Sequence, residues 1–378
     1  MSISMLTEKN FAEIITKNGG RVFRVGGCVR DSFMGIMPKD IDFTIVGMVK
    51  KNFKTLFPDA KECGKTFPVF FLAIDGIKRE VAFARTERKI GSGYKGFRVS
   101  AKPKITIEED LFRRDTTVNS IALDVLTGEI IDPFHGRADI EAKVLRATSE
   151  HFSDDPIRAL RIAGQSARFG FAIDPDTRPL VCAVREELAN EPVERMVAEL
   201  GKVLSDAQEP SRFFKVLAEA NLLQVTFKEL SDLSRQEFER AMSGLDAVAK
   251  VTQNSKVRFA SLGLVLEKER LVLWNNRMTL PGAWLDAAII ISQIIRFLEK
   301  PTPEKIVDTI NKLRRGAITI EELDLICTAA GLEIPRLVPL KAVMALPQGK
   351  VVPATLKGKE IGEWLREKHV EAIAKNLS

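Results

Sequence analysis

The period of apolar positions changes once along this chain. As far as residue 144, short β-branched and aromatic runs alternate with helical stretches; beyond about residue 175 only the helical period persists. Residues 7–19 (TEKNFAEIITKNG) place Phe11, Ile14 and Ile15 on one helical face. Val22, Phe23 and Val25 read as a short strand running into Gly26-Gly27, after which Cys28-Val29-Arg30-Asp31 opens a helix. Directly after Asp40-Ile41-Asp42, the run Phe43, Thr44, Ile45 and Val46 predicts a second strand. A helix at 51–58 precedes an apolar strand at 67–74 (FPVFFLAI); Asp75-Gly76 signals a hairpin, and KREVAFART at 78–86 returns. The stretch 106–124 (TIEEDLFRRDTTVNSIALD) predicts a helix that takes in Ile121, Ala122 and Leu123. A strand with a turn is expected at 128–136 (GEIIDPFHG), a helix at 139–147, and another over 153–171, opened by Pro156 behind two aspartates. Further helices are expected at 235–250, 283–298, 303–314 and 319–330. The pattern predicts an α+β architecture: a mixed β-sheet and helix unit over 1–144, then an elongated all-α remainder.

Composition narrows the class without naming it. A chain of 378 residues can build two or three domains with a substantial core. Its net charge of +6 and pI near 9.0 permit a polyanionic partner. Four cysteines, Cys28, Cys63, Cys182 and Cys327, lie far apart and form no CxxC pair, which argues against zinc and disulfides and fits a reducing cytoplasm. No signal region or membrane-spanning run is seen, so no membrane partner is expected. With only His135, His151 and His369, the chain cannot assemble a histidine-rich hydrolase centre.

The candidate chemistry gathers around 21–47. Alternate strand residues point to one face, so Asp40 and Asp42 project together. On the returning strand, alternation places Glu80 on a face with Ala82 and Ala84, which suggests a pocket and makes Glu80 a third carboxylate. Such a set can hold two Mg²⁺ ions roughly 3.5–4 Å apart, one activating an attacking hydroxyl, the other neutralising leaving pyrophosphate. Gly26-Gly27 lets backbone N–H groups approach a triphosphate. The segment 85–100 (RTERKIGSGYKGFRVS) reads as a mobile basic loop, with a solvated linker as its equal alternative. Arg114, Asp115 and Asn119 cluster, the last two four apart on a helical face, although Asp115 or Thr116 could simply cap that helix. Arg158, Arg161, Gln165 and Arg168 form a polar, basic stripe. Asp155 and Arg158 could accept from the amino group and donate to the ring nitrogen of cytosine or adenine. From spacing alone, Asp155 as an N-cap with Arg158 as its ion-pair partner accounts for them better.

Five motifs, GGCVRD with DID (26–42), EEDLFRRDTTVNSIALD (108–124), DPFHG (132–136), DDPIRALR (154–161) and ERMVAELGKVL (194–204), resemble in order and spacing those of class II tRNA nucleotidyltransferases. These are the CCA-adding enzymes, relatives of bacterial poly(A) polymerase. The likeness covers roughly residues 20–225, and the loop and C-terminal stretch resemble the proteobacterial enzymes in particular. It implies a catalytic head over 1–144, a base-recognising helical neck over 145–207, and a helical body and tail for tRNA binding over 208–378. It implies that Asp40 and Asp42 bind two Mg²⁺ ions, that Glu80 supports them, and that Gly26, Gly27 and Arg30 hold the triphosphate. Arg114, Asp115 and Asn119 would contact ribose and phosphates; Asp155 and Arg158, with Arg161 beside them, would select CTP and then ATP. That resemblance turns the Asp155–Arg158 pair from a cap into a base reader. The loop 86–97 corresponds to one that assists the switch from CTP to ATP.

The departures are Asp154 where glutamate is common, Ser120 where alanine is common, and Gly263-Leu264-Val265-Leu266 where some relatives carry a His-Asp phosphohydrolase pair. A lapsed hydrolase region over about 235–300, without phosphatase activity, is therefore expected. The expected activity is template-independent addition of C, C and A to tRNA from CTP and ATP by a cytoplasmic monomer. Poly(A) polymerase, a CC-adding enzyme and a non-catalytic tRNA binder are the alternatives. The moderate charge to Ser378 speaks against the first, the loop against the second, and the clustered acids against the third.

Overall fold

A computed structural model describes residues 5–64, 69–91, 96–314, 316–344 and 352–377. Its centre is a seven-stranded mixed sheet in the order β3-β4-β5-β2-β1-β8-β9. The strands are β1 (Arg21–Val25), β2 (Asp42–Val46), β3 (Lys61–Cys63), β4 (Val69–Ile74), β5 (Ile77–Phe83), β8 (Ala122–Asp124) and β9 (Ile130–Ile131). Between β5 and β8 lies a separate hairpin of β6 (Thr86–Lys89) and β7 (Phe97–Ser100). All neighbouring pairs in the large sheet are antiparallel except β2 and β5, which run parallel.

Alternation along the strands explains the two faces. Val22, Phe43, Ile45, Val81 and Phe83 point to one side and pack with Phe11 and Ile15 of α1 (Glu8–Lys17). Phe53 of α3 (Lys50–Leu56) closes the same cluster, stacked edge-on with Phe83 at 5.6 Å. Phe23, Val25 and Ala122 point the other way, against Ile107 and Leu111 of α4 (Ile107–Phe112). Residues of β2 and β5 out of phase with the first cluster, Asp42, Thr44, Glu80 and Ala82, therefore share the second face.

Three expectations are corrected. Ile121–Leu123 do not extend a helix: a single 3₁₀ turn, Thr117–Asn119, ends at Ser120, and Ala122–Asp124 pairs with β1. An open sheet edge beside β1 outweighs the local helical pattern there. The segment 85–100 is not a loop throughout, because Thr86–Lys89 and Phe97–Ser100 pair in register, Glu87 opposite Val99; residues 92–95, with Tyr94, lie outside the described residues. The helix expected at 139–147 is displaced: α5 spans Gly136–Ala142, ends at left-handed Lys143, and a short strand Val144–Leu145 follows. Gly136 is required where it stands, since a Cβ would lie 2.2 Å from the Thr117 carbonyl oxygen. Its N–H and that of Arg137 donate to Asp132, at 2.7 and 3.0 Å, so the DPFHG motif builds this turn.

The described chain falls into two compact units. One comprises residues up to Ser166, with Gly170–Glu191 and Ala220–Leu222; the other comprises Ala167–Phe169, Pro192–Glu219 and everything from Leu223 onward. The second unit is helical, and one of its cores joins Val248, Ile291, Ile310 and Leu323 from four of its helices. Among the described residues no helix is long and apolar enough to cross a membrane. The C-terminal basic residues are partly neutralised: Arg366 pairs with Asp308 at 2.9 Å and Lys368 with Glu371 at 2.7 Å; Lys350 lies outside the described residues.

Candidate active site

All the residues singled out as candidates lie in the first unit. The parallel register sets Asp42 directly opposite Glu80, so both carboxylates stand on the α4 face of the sheet. Asp40 lies two residues before β2 begins, exposed, and its charge acts on Asp42. Solvent reaches Asp42, but protein crowds its carboxylate. This desolvation raises its pKa; Asp40 adds to the rise, while Arg114 and Arg79 oppose it. Glu80 is raised in the same way, first by burial and then by Asp42. Burial, with Asp40 acting on Asp42 and Asp42 on Glu80, outweighs the relief that Arg114, Arg79 and Arg85 give. That is the electrostatic condition for a bound cation. Among the described residues no group of three His, Cys, Asp or Glu side chains converges closely enough to ligate a metal unaided. Mg²⁺ suits such a set, because it commonly takes one or two carboxylates and completes its shell with phosphate oxygens and water.

The glycine turn sits over this face. Gly26 ends β1 and precedes α2 (Gly27–Phe33) with φ +71°. A Cβ there would lie 2.9 Å from Arg114 Nη1, so glycine serves both the backbone conformation and the approach of Arg114. Arg114 Nη2 donates to Asp110 Oδ2 at 3.0 Å, and its buried Nε has no partner among the described residues. Asp110 is a residue the sequence reading missed. Its side chain is fully buried, yet Arg113 and Arg114 outweigh the burial and hold its carboxyl below the usual range. It also accepts the Arg85 backbone N–H at 3.1 Å.

Asp115 and Asn119 do meet, although across a 3₁₀ turn instead of a helix face: Asn119 Nδ2 donates to Asp115 Oδ1 at 3.0 Å. The Thr116 backbone N–H reaches the same oxygen at 2.8 Å. Oδ2 receives Arg161 Nη2 at 3.0 Å and Gln165 Nε2 at 3.2 Å. Burial alone would raise this carboxyl; the Arg161 charge and these hydrogen bonds lower it to about 2. Arg30 is buried, pairs with Asp31 and donates to Asn119 Oδ1, so it lies beneath the glycine turn as part of the same network.

The polar stripe expected on the helix α6 (Ile157–Phe169) is present and is in part buried. Arg158 and Gln165 are buried, while Arg161 is about half exposed. Arg158 Nη1 donates to the His151 carbonyl at 2.7 Å and Nη2 to the Arg113 carbonyl at 2.6 Å. Burial lowers its pKa against the opposing pull of Asp115 and Asp155. Asp155, half-buried at the start of α6, accepts weakly from the Ile157 N–H at 3.4 Å. Gln165 is legible as a member of the stripe and Thr116 as a cap, but the bond between them, Thr116 Oγ1 to Gln165 Oε1 at 2.9 Å, carries no sequence pattern.

In the helical unit, the region 235–300 contains a cavity of about 880 Å³ lined by Gly263, Leu264 and Val265 together with Arg270, Arg277 and Arg296. Arg277 pairs with Glu229 at 2.7 Å and Arg296 with Glu267. All three histidines of the sequence fall outside this range.

The chain is similar to known proteins over most of its length. Residues 22–146 match the "Poly A polymerase head domain" family and residues 170–233 the "Probable RNA and SrmB- binding site of polymerase A" family. The chain is 32% identical to a CCA-adding enzyme of Coxiella burnetii over 95% of its own length and 96% of that protein. It is 33% identical to the multifunctional CCA protein of Pseudoalteromonas atlantica over 95% of its length and all of that protein. Its fold is similar to that of the Bacillus stearothermophilus CCA-adding enzyme crystallised with CTP, with TM-score 0.70, 24% identity, and 96% and 89% of the two chains covered. A Thermotoga maritima CCA-adding enzyme complexed with tRNA aligns with TM-score 0.68 at 20% identity over 98% and 94% of the two chains.

Proposed function

The chain belongs to the CCA-adding enzyme family, and from that premise we propose that it adds C, C and A to the 3′ end of tRNA, taking CTP and ATP without a nucleic acid template. The observation that carries the reading is the parallel register of Asp42 and Glu80, which leaves two carboxylates on one face, both raised first by burial and then by a neighbouring acid. Asp40 and Asp42 would hold two Mg²⁺ ions with Glu80 in support. Bound there, Mg²⁺ supplies charge neutralisation for the phosphoryl group and the departing pyrophosphate.

The protein's own groups do the rest. Gly26 and Gly27 leave room for the triphosphate beside Arg114, whose buried Nε has no partner among the described residues. Arg30 stiffens the turn from below through Asn119. Asp155 and Arg158 read the base edge: Arg158 is locked by two carbonyls, and the other N–H groups of its fork remain to donate toward a ring nitrogen. A locked guanidinium forfeits little rotamer freedom when a nucleotide arrives. The basic faces of the helical unit would hold tRNA through its backbone, with binding that weakens as salt rises. No phosphohydrolase activity is assigned to the cavity at 263–265, whose basic side chains Arg277 and Arg296 are paired with acids.

The test is incorporation. Protein, Mg²⁺ and tRNA lacking its 3′ end are incubated with labelled CTP and ATP, separately and together. C, C and then A on the product is the expected result. A-tails on any RNA would assign a poly(A) polymerase, and arrest after two Cs a CC-adding enzyme.

A further inference from the structure

We propose that Gln165 is a positioning residue for nucleotide binding: it shares Asp115 Oδ2 with Arg161, and Thr116 fixes which end of its amide faces the acid. The proposal rests on the reading of Arg161 as a nucleotide-binding group. A carboxylate offers about four acceptor sites, and the Thr116 N–H, Asn119, Arg161 and Gln165 take one each. Asp115 therefore has no acceptor capacity left over for a substrate hydroxyl while this network stands. Its contribution passes through the groups it holds, and among these Arg161 is the half-exposed one.

The orientation of the Gln165 amide follows from chemistry. An ionised carboxylate only accepts, so the NH₂ end must face Asp115. The amide oxygen then needs a donor, and Thr116 Oγ1 supplies it at 2.9 Å. Arg161 and Gln165 stand four residues apart on α6, which puts both on one face, over one oxygen. Elsewhere the buried positions of this helix are largely apolar, Ile157, Leu160, Ile162 and Ala163 among them. A buried amide among them costs stability unless both its ends are paired. Here both are, and the pairing ends on the acid that orients Arg161.

The experiment compares wild type with Gln165→Leu, Thr116→Val, Thr116→Ser and the Gln165→Leu/Thr116→Val double variant. CTP and ATP dissociation constants are taken by calorimetry, steady-state KM and kcat by incorporation, and unfolding midpoints alongside. Gln165→Leu is expected to raise Kd and KM for both nucleotides about tenfold, the scale of one charge-assisted hydrogen bond, with kcat within about twofold. Thr116→Val should reproduce part of this rise, Thr116→Ser should restore it, and the double variant should be no worse than Gln165→Leu. Wild-type nucleotide affinity in a folded Gln165→Leu protein would overturn the proposal, as would additive effects in the double variant. If wild type binds CTP but transfers nothing to tRNA, the CCA-adding reading fails while the binding constants still decide the role of Gln165. If wild type binds no nucleotide, both fail.

Discussion

Two sets of acids in the same unit carry opposite electrostatics. Asp42 and Glu80 stand at a solvent-reached face, raised by desolvation and by each other or by Asp40. Asp115 is buried more deeply, yet its carboxyl is lowered to about 2, because the Arg161 charge, the Asn119 and Thr116 hydrogen bonds and the Arg158 charge outweigh that burial. Burial thus does not decide an acid's state; the donors brought to it do. The first set stays raised despite Arg114, Arg79 and Arg85, so a bound cation would relieve it further. The second is already satisfied, and its value lies in what it holds in place.

The largest expected effect separates the two sets by readout. Asp42→Ala should cut incorporation at least about a thousandfold, since metal-borne charge stabilisation amounts to several kcal/mol. It should leave the unfolding midpoint unchanged or slightly higher. The sign follows from the raised pKa: ionising Asp42 costs folded-state stability as pH rises through the carboxylate range, so removing it costs none. A clear loss of stability would place Asp42 in the scaffold instead.

Asp115→Asn should do the reverse, destabilising the fold by about 2–3 kcal/mol near neutral pH. Because its folded pKa of about 2 lies below the unfolded value of 3.8, the wild-type acid contributes stability above pH 3.8 and loses it as pH falls toward 2. Denaturant titrations of both proteins across that window should therefore converge at the acid end. A constant gap would deny the linkage.

Asp155 lies between the extremes, half-buried at the start of α6. Asp155→Ala should relax selection against UTP and GTP by about tenfold, the worth of one base-edge pairing, before transfer itself is lost. Unchanged selection, read from labelled UTP and GTP incorporation, would remove Asp155 from base reading. The smallest effect is expected at Glu80. Glu80→Gln keeps the shape and removes one charge of the rim, so incorporation should fall several-fold to about tenfold, recovered in part by raising Mg²⁺. Loss without recovery would mean that Glu80 does more than support the metal site.

Much of this was legible in the sequence because it is local. Strand alternation predicted that Glu80 would leave the core side, and it does, with Val81 and Phe83 buried against the opposite helices. The Gly26-Gly27 turn and the acids at 40 and 42 were legible by spacing, but not by the alternation expected to pair them: Asp40 lies before β2, so strand alternation does not align it with Asp42. Ala122–Asp124 misled for an equally physical reason. Its residues satisfy a helical period, but the free edge of β1 offers backbone partners that no local pattern records. The stripe on α6 was legible only in part: periodicity groups Arg158, Arg161 and Gln165, but it does not say whether that face meets solvent or a buried aspartate.

By itself, then, the sequence determined most of the elements, the change from mixed to helical architecture, and which residue types could do the chemistry. Those follow from period, turn residues and motif spacing, all short-range properties of the chain. Tertiary structure alone decided the parallel alignment that sets Asp42 opposite Glu80, the burial of Arg158, and the ring of donors that closes on Asp115 from 116, 119, 161 and 165. Electrostatic character depends on neighbours a few ångströms away in space, and those neighbours lie up to fifty residues away in the chain.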